Sequence, residues 1–319
     1  MKMEAYGMIR FHDKNTGEVY KEIKYKVDSL ATVFRKLYYN EDSHTFTIIG
    51  SAYYLDKHGV KLGCKRGYLL ITLWDYDLNL LKDTVIGLNN YYGYNSYLWY
   101  IEGNKTQNGD LLIMGIATNL IDFRYHREVL FARLDKTGNI LKWKWIRKLP
   151  HETFKSSIIE NREQNGYLVF AHNMYKLDKD FEIIDKFATW DTGYITTYNN
   201  TSKIFSKYKY LVNVLFKNNH NKGLALFDNN FNISKRINIS RAYSNDDIVD
   251  DYPIARRNFD YIDTSTIYTG AQDIWYRNHT FTKVNFELEP YWIKYMSMND
   301  ALGQLVWTMK ATSDRGVSW

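Results

Sequence analysis

The sequence predicts an all-β protein, a six-bladed β-propeller whose last blade is completed by the N-terminal hairpin. Three observations predict it. A hairpin motif returns six times, a second strand recurs upstream of most copies, and the two ends of the chain carry complementary half-units. Composition agrees: aromatics reach 17%, led by 28 Tyr, against 3 Pro, and such residues fit a pleated, half-buried surface. With 45% hydrophobic residues across 319 positions, the chain can build a large core, and disorder is not expected.

The motif is clearest in Glu128 to Ile146, E-V-L-F-A-R-L-D-K-T-G-N-I-L-K-W-K-W-I. Leu130, Ala132 and Leu134 share one strand face, with Val129, Phe131 and Arg133 on the other. Asp135-Lys136-Thr137-Gly138 then has the residues of a type I turn, Asp first and Gly fourth. The pattern is Asp or Asn, then Gly, Phe or Leu, then Asn or Glu, then an apolar residue or Pro. It stands at Asp13, Asp75, Asp135, Asp178, Asp228 and Asn285, spaced by 43 to 62 residues. The repeated slot assigns Asp135, Asp178 and Asp228 to turns rather than to catalysis, since a carboxylate there can bond backbone N–H groups two residues on.

Upstream strands are Thr45 to Gly50, Asp110 to Gly115, Gly166 to Phe170, Tyr210 to Val214 and Ser265 to Gly270. Each follows a further short strand, such as Tyr97 to Ile101. Four strands per unit of roughly 40–60 residues is the signature of propeller blades, lettered A to D from the axis outwards. Tyr6 to Lys26 supplies only C and D, and Leu302 to Trp319 only A and the start of B. Joined, they make a sixth blade and leave no open gap in the ring. No linker or low-complexity tract interrupts the chain, so residues 1–319 read as one domain.

These repeats, F-A-R-L-D-K-T-G-N-I-L-K-W with the preceding N-G-D-L-L-I-M-G, resemble those of uncharacterised secreted bacterial β-propellers, which often carry a C-terminal sorting domain. The resemblance implies the fold and an extracellular or cell-surface location. It carries over no catalytic residue, and neither a leader nor a sorting domain stands in this sequence. A second, narrower resemblance lies in Thr312-Ser313-Asp314-Arg315-Gly316-Val317-Ser318-Trp319, which is similar to the Asp-box of sialidase-like propellers. There the box is a structural turn between strands C and D. Here it falls between A and B, and no arginine followed by Ile-Pro stands near the N-terminus.

The connections D-to-A and B-to-C share one face of a propeller, and ligands gather where such loops converge. Their aromatic and polar residues form the candidate ligand-binding set: Tyr91, Tyr92, Tyr94, Arg124, Tyr125, Trp190, Asp191, Tyr194, Asp273, Trp275 and Arg277. Rings give flat apolar area at low entropy cost and the polar groups fix orientation, as a glycan or protein ligand requires. The functional expectation is a non-enzymatic binding propeller. The alternative is a glycosidase or lyase using loop carboxylates, Asp122, Asp191 or Asp273, whose separation would decide the mechanism.

Other chemistry has little support. Asp246, Asp247, Asp250 and Asp251 are rich enough in oxygen for Ca²⁺, but the spacing is not an EF-hand and solvated acidic runs are common. The histidines lack zinc spacing, and no P-loop, dinucleotide fingerprint or nucleophile elbow occurs. No metal or cofactor is expected. A net charge of +6 with interspersed signs is not a nucleic-acid footprint. The single cysteine, Cys64, excludes an intramolecular disulfide. The start has Glu4 and Arg10 where a signal peptide needs an apolar core, and no apolar run approaches the ~18 residues of a membrane helix. A monomer without membrane insertion is expected.

Overall fold

The structure, a computed structural model, describes residues 6–13, 15–28, 30–53, 67–87, 97–121, 124–146, 157–161, 165–170, 173–188, 194–196, 202–206, 209–216, 222–238, 257–261, 267–273, 278–284, 290–297, 310–311 and 317–318. These residues form strands and turns, with no helix among them. The chain divides into two compact units, Met1–His151 and Glu152–Trp319.

The first unit opens with a hairpin of β1 (Gly7–His12) and β2 (Val19–Tyr25). Two four-stranded antiparallel meanders follow. The first sheet holds β3 (Ala31–Asn40), β4 (Thr45–Tyr53), β5 (Gly67–Trp74) and β6 (Leu80–Gly87) in that order. The second holds β7 (Tyr97–Lys105), β8 (Leu111–Ile121), β9 (Arg124–Leu134) and β10 (Ile140–Ile146). Central strands have both faces covered, so they read as continuous apolar runs rather than alternating ones. Leu111, Leu112, Ile113 and Met114 are all within 2% of complete burial.

The two sheets pack face to face, Ile49, Leu69 and Ile71 against Leu98, Ile113, Leu130 and Ala132. The N-terminal hairpin covers the other side of the first sheet through aromatic rings. Tyr25 stacks on Phe34 at 6.0 Å and meets Trp74 edge-on at 5.7 Å. Its hydroxyl donates to Asp83 Oδ2 at 2.6 Å. Burial, and then that bond, raise the phenol pKa far above its ordinary value.

The second unit repeats the plan. Its third sheet is β11 (Ser157–Asn161), β12 (Gly166–Phe170), β13 (Asn173–Leu177) and β14 (Ile183–Ala188). The fourth has β17 (Lys209–Phe216), β18 (Lys222–Phe227) and β19 (Ile233–Asn238), with its first strand in two pieces, β15 (Tyr194–Thr196) and β16 (Ser202–Ser206), both paired to β17. The fifth is β20 (Arg257–Tyr261), β21 (Ile267–Asp273), β22 (Asn278–Val284) and β23 (Pro290–Ser297). A final pair, β24 (Lys310–Ala311) and β25 (Val317–Ser318), joins antiparallel. Third and fourth sheets share a core of Ile159, Leu168, Phe170 and Met174 against Tyr210, Val212, Ala225 and Phe227.

The architecture is therefore all-β and repetitive, in sheets of the expected four-strand order. Three boundaries differ from the sequence reading, and one is Asp273, expected in a loop but the last residue of β21. Residues 122–126 are expected as a loop, yet β9 begins at Arg124, which pairs with Ile121, while Tyr125 pairs with Leu120. Tyr194, expected in a loop, opens β15 opposite Phe216. At β9 and β15 backbone pairing defines the strand, and no apolar alternation in the sequence marks it.

Candidate functional site

Each meander has two ends, and they are built differently. At one end the third and fourth strands are joined by five residues in every sheet: 75–79, 135–139, 178–182, 228–232 and 285–289. The four described copies have the same geometry. Asp75 N–H donates to Asn79 O and Leu78 N–H to Asp75 O, and the pair recurs at Asp135, Asp178 and Asp228. This is a type I turn closed by a left-handed residue and a bulge. The register of each hairpin shifts beside it.

The Asp side chain fixes the turn. Asp135 Oδ1 accepts from Thr137 N at 2.8 Å and Asn139 N at 2.9 Å, and Oδ2 from Asn139 Nδ2 at 2.7 Å. Asp178 and Asp228 accept the equivalent backbone pairs at 2.7 to 2.9 Å. The assignment of these carboxylates to turns stands. The left-handed position is Gly138 (φ 77°) in the second sheet, but Leu78 (φ 69°), Phe181 (φ 61°) and Phe231 (φ 63°) elsewhere. A bulky residue there is strained, and at Phe181 and Phe231 burial of the ring offsets the strain. Phe231 is 3% exposed and meets Phe170 edge-on at 5.6 Å.

A cleft of about 250 Å³ opens at this turn end between the first and second sheets. Tyr38, Tyr39, Asn40, Asp42, Thr47, Lys105, Gly109 and Lys136 contribute to its walls. Lys136 Nζ lies 2.9 Å from Asp42 Oδ2, Lys105 Nζ donates to Tyr39 O at 2.6 Å, and Asn40 Nδ2 donates to Lys136 O at 3.4 Å. The hydrogen bond and charge of Lys136 lower the Asp42 pKa, and Asp42 raises that of Lys136 in return. Gly109 (φ 88°) lets the Lys136 stem cross it, since a Cβ would lie 2.7 Å from Lys136 Cε. Deeper in, the Tyr38 hydroxyl is buried with no hydrogen-bond partner among the described residues. Burial and the nearby Glu102 carboxylate, which pairs with Lys36 at 2.6 Å, raise its pKa well above the ordinary value. Nothing in the sequence pointed to this cleft, whose walls come from strands and turns up to about a hundred residues apart.

At the opposite end the connections vary: 54–66 and 122–123 within sheets, 88–96 and 239–256 between them. Four of the predicted ligand-binding residues are described, and the backbone puts each at this end of its own sheet. Arg124 and Tyr125 begin β9, Tyr194 begins β15, and Asp273 ends β21 opposite Asn278. Tyr91, Tyr92, Tyr94, Trp190, Asp191, Trp275 and Arg277 lie outside the described residues, as do Asp122 and Asp246, Asp247, Asp250 and Asp251. Among the described residues no group of three His, Cys, Asp or Glu could hold a metal ion, and no helix is long and apolar enough to cross a membrane.

The class defined by these observations is an all-β protein of repeated four-stranded meanders. No family model matches the chain, and no curated protein sequence does. Solved structures are similar in fold. Prolyl oligopeptidase B from Galerina marginata aligns with 93% of this chain over 40% of its own, at 11% identity and a TM-score of 0.51. A DUF4623 family protein from Bacteroides eggerthii aligns with 81% over 56% of its own, at 10% identity and a TM-score of 0.40. The GH43 endo-arabinanase from Bacillus licheniformis aligns with 92% over 99% of its own, at 11% identity and a TM-score of 0.36. The chain spans 40% to 56% of the length of the first two. At such identities the likeness concerns the fold alone.

Proposed function

We propose that the chain closes as a single six-bladed propeller and works as a binding module. In this reading β1–β2 forms the outer half of the sixth blade and residues 302–319 the inner half. It engages a glycan or protein through the ends of its sheets remote from the five-residue turns. The observation that carries the reading is the asymmetry of the connections. Turn-end C-to-D links keep one length and spend their carboxylates on their own backbones, whereas links at the other end range from 2 to 18 residues. Scaffold ends of constant geometry position the variable ends, where binding residues concentrate. The resemblance to secreted repeat propellers supports work outside the cell.

A glycan-array screen of the full chain, followed by turnover assays on each hit, tests the proposal. A retained, unprocessed ligand whose affinity falls in Trp190→Ala supports it. Product release that vanishes in Asp191→Asn and survives Tyr91→Ala would replace binding with glycan cleavage.

A further inference from the structure

We infer that the cleft at the turn end of the first two sheets is a second ligand site, separate from the loop face, for a small hydroxyl-rich molecule of about one sugar ring. Beside the cleft the repeat differs at one position. In the fourth sheet the left-handed turn residue is Phe231, whose ring packs against Phe170 and Phe187 of the neighbouring sheet. In the second sheet the same position is Gly138. A Cβ there would already meet Ile71 Cγ2 at 3.3 Å and Thr47 Cγ2 at 3.6 Å, so no ring can fill this corner. Thr47 is one wall of the cleft that remains.

What lines the cleft selects the ligand. Both signs of charge are present and partly cancel, since Lys136 and Asp42 form an ion pair 2.9 Å across. That pair is exposed, 46% and 76%, so its remaining donor and acceptor sites face solvent. Lys105 donates to the Tyr39 carbonyl and its charge also acts on Asp42; among the described residues its ammonium has no second hydrogen bond, so donors remain for a ligand. Interleaved donors and acceptors beside the Tyr38 ring match vicinal hydroxyls better than a lone anion or cation, which would need charge of one sign. About 250 Å³ is smaller than a drug-sized pocket of roughly 300–1,000 Å³, so one ring fits and an oligosaccharide does not.

Saturation-transfer NMR on the full chain with methyl glycosides of single hexoses and pentoses tests this, with inorganic phosphate as the competing probe. The site predicts saturable binding of at least one glycoside that weakens about tenfold or more in Asp42→Asn and in Lys136→Met, as for a lost charge-assisted hydrogen bond. Both residues are exposed, so the variants should fold. Binding should persist in Trp190→Ala, which separates this site from the loop face. Three results would overturn it: no saturable glycoside, displacement of every signal by phosphate, or loss in Trp190→Ala with no change in the Asp42 and Lys136 variants.

Discussion

Replacing Asp135 with alanine probes the element on which the repeat depends. In the folded chain its carboxylate accepts from Thr137 N, Thr137 Oγ1, Asn139 N and Asn139 Nδ2, all within 2.9 Å. Deletion leaves two backbone donors at a turn that water can still reach, so the cost is that of a lost side-chain cap, about 1–2 kcal/mol. For a unit of this size each kcal/mol lowers Tm by about 2–4 °C. Asp135→Asn keeps one acceptor oxygen and should lose less than half as much. The effect should also depend on pH. Burial raises the carboxyl pKa, but the hydrogen bonds from Asn139 and Thr137 outweigh it and leave the group below its ordinary value. A depressed folded pKa stabilises above the unfolded value of about 3.9 and loses that contribution as pH falls through the folded value. The gap between wild type and Asp135→Ala should be full at pH 7 and narrow as pH falls below about 4, where the protonated carboxyl keeps only neutral hydrogen bonds. Urea denaturation across that range is the assay. Equal midpoints at pH 7, or a gap that widens in acid, would refute the reasoning.

Two further substitutions separate competing terms in the same framework. Phe231→Gly loses a buried ring but relieves a left-handed backbone, so it should cost about 2–4 kcal/mol, and Phe231→Ala, which keeps the strain, about 1 kcal/mol more. Chemical denaturation showing alanine at least as stable as glycine would overturn the strain argument. Arg133 donates to the buried Asp110 carboxylate from Nε at 2.9 Å and Nη2 at 2.6 Å. Arg133→Met should therefore cost about 2–4 kcal/mol, and Arg133→Met with Asp110→Leu should recover part of it, because a buried charge no longer lacks its partner.

The turns were legible because their chemistry is local: an Asp reaching N–H groups two and four residues on needs nothing beyond its own loop. Thr106–Asp110 shows the same economy. It folds with Gly109 N–H on Thr106 O and Thr106 N–H on Asp110 O. The occupants of the left-handed position were legible as a motif but not as strain, since local rules favour Gly or Asn there. Phe181 and Phe231 stand in it because burial of their rings outweighs the backbone cost. The start of β9 was hidden for the opposite reason: Arg124-Tyr125-His126-Arg127 has no apolar alternation, and its pairing with Leu120 and Ile121 is a backbone property. The cleft was illegible because Thr47, Lys105 and Lys136 share no spacing that a chemical motif would require.

Closure of the ring is the central structural proposal, and amide hydrogen exchange reads it most directly. Strand β1 pairs with β2 on one side, so roughly alternate N–H groups of Gly7–His12 face the other side, where the chain's last strand would join in a closed ring. Exchange is measured residue by residue in the full chain and in a chain ending at Asp300, with β4 and β5 as the internal reference. The account predicts that truncation strips protection from those outward amides of β1, whatever it does to the reference strands. Unchanged protection of every β1 amide after removal of residues 301–319 would contradict it.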